Sequence, residues 1–143
     1  MIWLLVLTIA VSTCLSALLS AAESATLTVN PSRLRTLKDE GFRGSSSLVI
    51  LKENPEKMKS SILFLNTVLD GLVVGFSVII GAVSSGISGG LMGLLFSTIV
   101  VVVVCEILPR SIGKEKPIRI SLKMAKPILY IQKTSESNYL TFE

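Results

Sequence analysis

An all-α integral membrane protein, three transmembrane helices with short cytoplasmic juxtamembrane helices, is the fold this sequence predicts. Three observations carry that expectation. Half of the residues are hydrophobic and the mean hydropathy is +0.68, far above a water-soluble domain. Only 17% are charged, and those are clumped rather than spread over a surface. Residues 71–105 contain no Lys, Arg, Asp or Glu, and the run is bracketed by Asp70 and Glu106. It is long enough for two spans and a connection.

Taken in chain order, the first apolar run extends from Met1 to about Ala22, enough for one crossing at ~1.5 Å rise per residue. A signal peptide is the competing reading. The run lacks a basic leader, carries Ser12, Ser16 and Ser20, and is followed directly by Glu23, so a span over 2–22 is favoured. Asn30-Pro31-Ser32 reads as a helix start, giving a helix over 32–40 with Leu34 and Leu37 on one face and Gly41 as its stop. A second short helix, 45–53, ends before Asn54-Pro55. The second span covers 60–81 and the third 90–108, joined by the Ser/Gly-rich loop Ala82–Gly90. Beyond it, Ile118, Leu122, Ala125 and Leu129 form an apolar stripe beside Arg119, Lys123 and Lys126, which predicts a helix over 117–131. That helix either lies on acidic headgroups or packs on other cytoplasmic helices. Residues 132–143 read as a flexible tail.

Lys and Arg set the orientation. Arg33, Arg35, Lys38, Arg43, Lys52, Lys57 and Lys59 lie between the first two spans, and Arg110, Lys114, Lys116, Arg119, Lys123 and Lys126 follow the third. The N-terminus before the first span and the Ala82–Gly90 loop have none. The positive-inside rule then places both basic segments in the cytoplasm, the N-terminus outside and the C-terminus inside, in a plasma or inner membrane.

Composition also excludes classes. The +4 net charge flanks apolar spans, and no basic cluster contains aromatics, so no nucleic-acid partner is expected. There is no histidine, hence no imidazole base and no His-ligated metal. Cys14 and Cys105 lie in apolar runs and read as small buried hydrophobes. No phosphate-binding loop occurs, since Leu108 stands where its first glycine would be. Nothing points to an enzyme.

The polar residues inside the spans are more informative. Ser12, Ser16 and Ser20 repeat at i, i+4, and Glu23 continues their stripe; Asn66 and Asp70 share a face of the second span. With entry near Ser60, Asp70 lies ~15 Å deep. A charge there costs at least ~2.5 kcal/mol, and no span carries a Lys or Arg to neutralise it. Asp70 must therefore be protonated, hydrated or bound to a cation. The serines could equally be helix-packing residues, Asn66 an interhelical hydrogen bond, and Glu23 an interfacial charge. Together the hydroxyls, amide and carboxylates form a hard-oxygen set suited to Mg²⁺ or Ca²⁺. Pro109 gives no N–H to the turn before it, freeing carbonyls beside Glu106. Gly71, Gly75, Gly89 and Gly93 supply two Gly-x3-Gly spacings for packing one span on another, or one protomer on another.

Ser16-Ala-Leu-Leu-Ser20-Ala-Ala-Glu23, Asn30-Pro-Ser-Arg-Leu-Arg35, Lys38-Asp-Glu-Gly41, Glu53-Asn-Pro-Glu56 and above all Glu106-Ile-Leu-Pro-Arg110 follow one another in an order and spacing that resembles the CNNM/CorC (CorB, HlyC/CorC-type) transmembrane domain. The resemblance covers about Ser16 to Ile131. It implies a dimeric magnesium transporter that exports Mg²⁺ coupled to Na⁺ influx, with a dehydrated cation held mid-membrane. By matching positions it implies Ser16 or Ser20, Asn66, Asp70 and Glu106 as metal ligands, with Glu23, Pro109 and Arg110 in supporting or gating roles. Two substitutions depart from the pattern: Asp70 stands where Asn is common, and Arg110 where Lys is usual. Family members also continue into a nucleotide-binding CBS pair that these residues do not include, so ATP binding is not expected. The expectation is therefore membrane transport of a divalent cation by a homodimer in contact with lipid. A Mg²⁺-binding regulator that does not itself transport would use the same ligands.

Overall fold

The computed structural model describes residues 1–140, with the backbone alone for 138–140. Among the described residues its regular secondary structure is all helical, as expected: α1 (Ile2–Thr28), α2 (Pro31–Asp39), α3 (Ser45–Glu53), α4 (Pro55–Val100), a π-helical segment (Val101–Ile107), α5 (Leu108–Glu115) and α6 (Pro117–Leu140). Two stretches are long and apolar enough to cross a membrane, Ile2–Thr28 and the 61 residues Pro55–Glu115. In each, only 17% of the most apolar window is buried, the opposite of a soluble protein's core helix. Helix α1 makes the inversion plain. Ser12, Ser16 and Ser20 are at most 4% exposed, whereas Leu7, Val11, Leu15 and Leu18 are about half exposed or more. Polar residues turned inward and leucines outward are what a hydrocarbon solvent selects.

The chain divides into two compact units. The first comprises Met1–Ser20 and Leu65–Pro109. Within it, α4 is not one rod: Ser85 and Gly86 leave helical geometry, with Gly86 at φ +66°, and the chain doubles back. The arms run antiparallel, because Gly81 meets Gly89, Val78 and Ala82 meet Gly90, and Ser77 meets Gly93. The connection expected over 82–90 is thus a two-residue break, with helix continuing to Ser84 and resuming at Ile87. The glycines in this stretch serve close approach of backbones more than turning. A Cβ on Gly89 would collide with the Gly81 carbonyl, and one on Gly93 would lie 2.6 Å from the Ser77 carbonyl. By contrast, Gly71 and Gly75 face open space within the chain. Gly89→Val should therefore cost about 1–3 kcal/mol by forcing the arms apart, while Gly71→Ala should change stability by less than about 0.5 kcal/mol. Thermal unfolding in detergent checks both, and equal melting of the two variants would contradict the hairpin contact. The unit's apolar cluster joins Val73, Val101 and Cys105, with Ile9 and Val74 packed against them.

The second unit comprises Ala21–Phe64 and the chain from Arg110 onward. Asn30 caps α2 as expected, its Oδ1 accepting the Ser32 N–H at 3.0 Å, with Pro31 in the first turn. Leu34 and Leu37 are buried on one face. Gly41, at φ +74°, ends the helix; its N–H goes to the Lys38 carbonyl and that of Phe42 to the Leu37 carbonyl, the paired bonds of a Schellman stop. Helix α3 packs on both α2 and α6. Ser121, Ala125 and Ile128 are the buried line of α6, which packs on α3; of the expected stripe only Ala125 is buried, while Ile118, Leu122 and Leu129 are half-buried. The Lys52 ammonium donates to the Val29 carbonyl, and burial pulls its pKa below the ordinary lysine value.

Two expectations are corrected here. Residues 132–140, expected as tail, continue α6; Gln132 is buried, and Glu136 pairs with Lys57 at 2.9 Å. Tertiary anchoring extends a helix that its polar sequence alone does not predict. Residues 141–143 lie outside the described residues. The end of the third apolar stretch is not regular α-helix but π-helix, in which the Leu108 N–H reaches back five residues to the Val103 carbonyl. Pro109 follows, with no N–H to offer a carbonyl four or five residues behind it.

Candidate functional site

The first unit brings four of the five predicted ligands into two pairs. On α1, Ser16 and Ser20 are fully buried, one turn apart. On α4, Asn66 and Asp70 are likewise one turn apart and face them. The Ser16 hydroxyl donates to Asp70 Oδ1 at 2.6 Å, and the Asn66 side-chain amide donates to Ser20 Oγ at 2.9 Å. The i, i+4 spacing on both helices makes these pairs successive rungs of one ladder. The Oδ1 of Asn66 is buried and has no hydrogen-bond partner. An orphaned buried acceptor costs about 1–3 kcal/mol, so it marks a place where an electropositive group would be welcome.

Glu106 is half-buried in the π-helical turn and makes no hydrogen bond or ion pair to either rung. Beside it, the buried Cys105 thiol donates to the Thr13 carbonyl at 3.8 Å. That thiol also sits against Ser16 and in the electrostatic field of both Asp70 and Glu106. Among the described residues no three Asp, Glu, Cys or His side chains gather as a ready metal cluster. A cation here would have to draw on the neutral oxygens of Ser16, Ser20 and Asn66 as well as on carboxylate.

The charge balance is lopsided. Across residues 1–20 and 65–109 the charged side chains are Asp70 and Glu106, and there is no Lys or Arg. Two acids without a basic side chain suit one divalent cation.

The supporting residues divide differently. Pro109 is buried at the end of the first unit. In the second, Glu23 is 8% exposed and pairs with Arg110 at 3.8 Å, which is longer than a hydrogen-bonded ion pair. Two features escaped sequence reasoning. Cys105 is the buried small hydrophobe expected of it, and it also adjoins Ser16, for which its position next to Glu106 was the available signal. The π-turn is the other, and π-turns concentrate at functional sites.

Inward hydroxyl, amide and carboxylate groups on helices that turn their leucines outward define a helical membrane protein with a polar interior site. The chain belongs to the family described as the cyclin M (CNNM) transmembrane N-terminal domain, whose model matches residues 6–136. It is 30% identical over 99 residues to a UPF0053 protein of Haemophilus influenzae. To the UPF0053 inner membrane protein YfjD of Escherichia coli it is 28% identical over 107 residues. These matches cover 69% and 75% of this chain but 24% and 25% of the relatives, so the chain spans about a quarter of the length of the curated relatives it matches.

Proposed function

We propose that this domain carries Mg²⁺ across the membrane, exporting it against an inward flow of Na⁺. The observation that carries the reading is the charge balance of the first unit: two carboxylates, no basic side chain, and an amide oxygen left without a partner. Ser16, Ser20, Asn66, Asp70 and Glu106 would replace part of the ion's water shell. Mg²⁺ gives up water reluctantly, and anionic oxygens offset that cost best.

In this reading the hairpin of α4 contributes two crossings and α1 the third, with the N-terminus outside and both basic segments cytoplasmic. The open faces of Gly71 and Gly75 are free to meet a second protomer, as expected of a homodimer. In this reading the π-turn is the element that changes shape: a return from π to α hydrogen bonding there would shift Glu106 relative to the Ser16–Asp70 rung. Arg110 and Glu23, loosely paired, would respond to that shift on the cytoplasmic side.

The test is Mg²⁺ flux in proteoliposomes holding this protein alone, with and without an opposing Na⁺ gradient. Flux that depends on Na⁺ supports the exchanger. Mg²⁺ binding without flux would favour the regulator.

A further inference from the structure

Within the second unit, three helices enclose a cleft of about 210 Å³. Helix α1 brings Glu23, α4 brings Lys59, and α5 brings Arg110 and Lys114 one turn apart. Three cations face one carboxylate. Glu23 engages only Arg110, at 3.8 Å, leaving most of the guanidinium's five donors free. Among the described residues no carboxylate lies within ion-pair distance of Lys59 or Lys114. The arrangement is held by backbone contact. Gly113, between the two α5 cations, rests against the Ala21 carbonyl and lies close to Ser24 Cβ, so no side chain could be admitted there. Arg110 and Lys114 are thereby fixed near Glu23. Leu63, one turn along α4 from Lys59, also lines the cleft and is 61% exposed, and Phe64 next to it is 67% exposed.

A metal ion is repelled by this set, and a wholly soluble anion has no use for the exposed apolar residues. We infer that the cleft binds the phosphate of an anionic phospholipid, with an acyl chain lying along Leu63 and Phe64. Basic clefts between membrane helices are suited to such headgroups, where the phosphate meets several donors and the chains stay in hydrocarbon. The phosphate would compete with Glu23 for Arg110, so the lipid would loosen the Glu23–Arg110 pair.

The inference rests on the membrane reading and not on transport, and its test uses no flux. The full chain in neutral detergent is titrated with phosphatidylglycerol, phosphatidylcholine or inorganic phosphate, and thermal unfolding is followed. Phosphatidylglycerol should raise the midpoint by about 5 °C, as a ligand well above its dissociation constant does. Phosphatidylcholine and phosphate should not. The Lys59→Gln/Lys114→Gln variant should lose most of the rise. A charge-matched control, Arg33→Gln/Arg35→Gln, alters exposed cations of α2 that do not line this cleft and should keep it. Equal stabilisation of the cleft variant, or equal loss in the control, would overturn the site. An equal rise with inorganic phosphate would overturn its lipid character. Should the double variant not fold, Lys114→Gln is examined by native mass spectrometry. Loss of at least half of the retained phosphatidylglycerol is expected, and full retention would refute the assignment.

Discussion

Asp70→Asn is expected to make the ion-free protein more stable and its response to Mg²⁺ weaker. The carboxylate accepts the Ser16 hydroxyl at 2.6 Å in a unit that holds no basic side chain. A charge so placed costs on the order of 2.5 kcal/mol, which asparagine removes while keeping an acceptor for Ser16. Without ligand, the unfolding midpoint should therefore rise. With Mg²⁺ the sign reverses. Removing one unit charge from within ~4 Å of a divalent ion forfeits several kcal/mol of attraction at an effective dielectric of ~20, and part of that returns as lower desolvation cost. A net loss of about 2 kcal/mol corresponds to roughly thirtyfold weaker binding. Because the family resemblance places Asn at this position, transport should survive at higher Mg²⁺. Unfolding followed in chelator and across a Mg²⁺ titration reads both effects. An unchanged midpoint in chelator together with an unchanged Mg²⁺ response would remove Asp70 from the site.

The prominence of Asp70 and Glu106 was legible in the sequence because membrane depth makes a charge conspicuous. Uncharged run, basic flanks and serine stripe are each one-dimensional patterns that hydrocarbon imposes directly. Caps were equally readable: Asn30, Pro31 and Gly41 act through bonds within a few residues. What stayed hidden depends on partners far along the chain. The pairing of Ser16 with Asp70 and of Ser20 with Asn66 needs two helices in register, and an i, i+4 spacing on each says only that a face exists. The hairpin's connection is shorter than expected: Ser and Gly have loop propensity, whereas here Gly81, Gly89 and Gly93 let two helical backbones touch. Likewise α6 outlasts its local propensity because Gln132 is buried and Glu136 reaches Lys57.

The π-turn joins the legible to the hidden. Pro109 announces a disturbed hydrogen-bond ladder, but the sequence cannot say whether the helix bends, breaks or widens. It widens, over Val101–Ile107, and the widened turn holds both Cys105 and Glu106. One residue of that turn is buried against Ser16, and the next is half-buried without a partner. At that turn the first unit departs from regular α-helix, directly beside an acid without a hydrogen bond or ion pair.

Glu106→Gln should for that reason have the largest effect of any single substitution. Asp70 has the Ser16 hydroxyl to stabilise it, whereas Glu106 has no hydrogen bond or ion pair among the described residues. A cation therefore has more to gain from Glu106 than from Asp70, since no other group yet offsets its charge. Glutamine keeps the shape and one acceptor oxygen but leaves the unit with a single negative charge against a divalent ion. A net loss of about 3 kcal/mol is expected, roughly a hundredfold in affinity. Stability without ion should be unchanged or slightly higher, because no native hydrogen bond is lost. Under the proposed exchange, Na⁺-dependent Mg²⁺ flux in proteoliposomes should fall below detection at Mg²⁺ levels that saturate the unmodified protein. Restoring the charge one methylene shorter, as Glu106→Asp, should recover part of it. If Glu106→Gln keeps full flux and full Mg²⁺ protection, the ion does not pass by the π-turn, and the Asp70 rung would have to bind it alone.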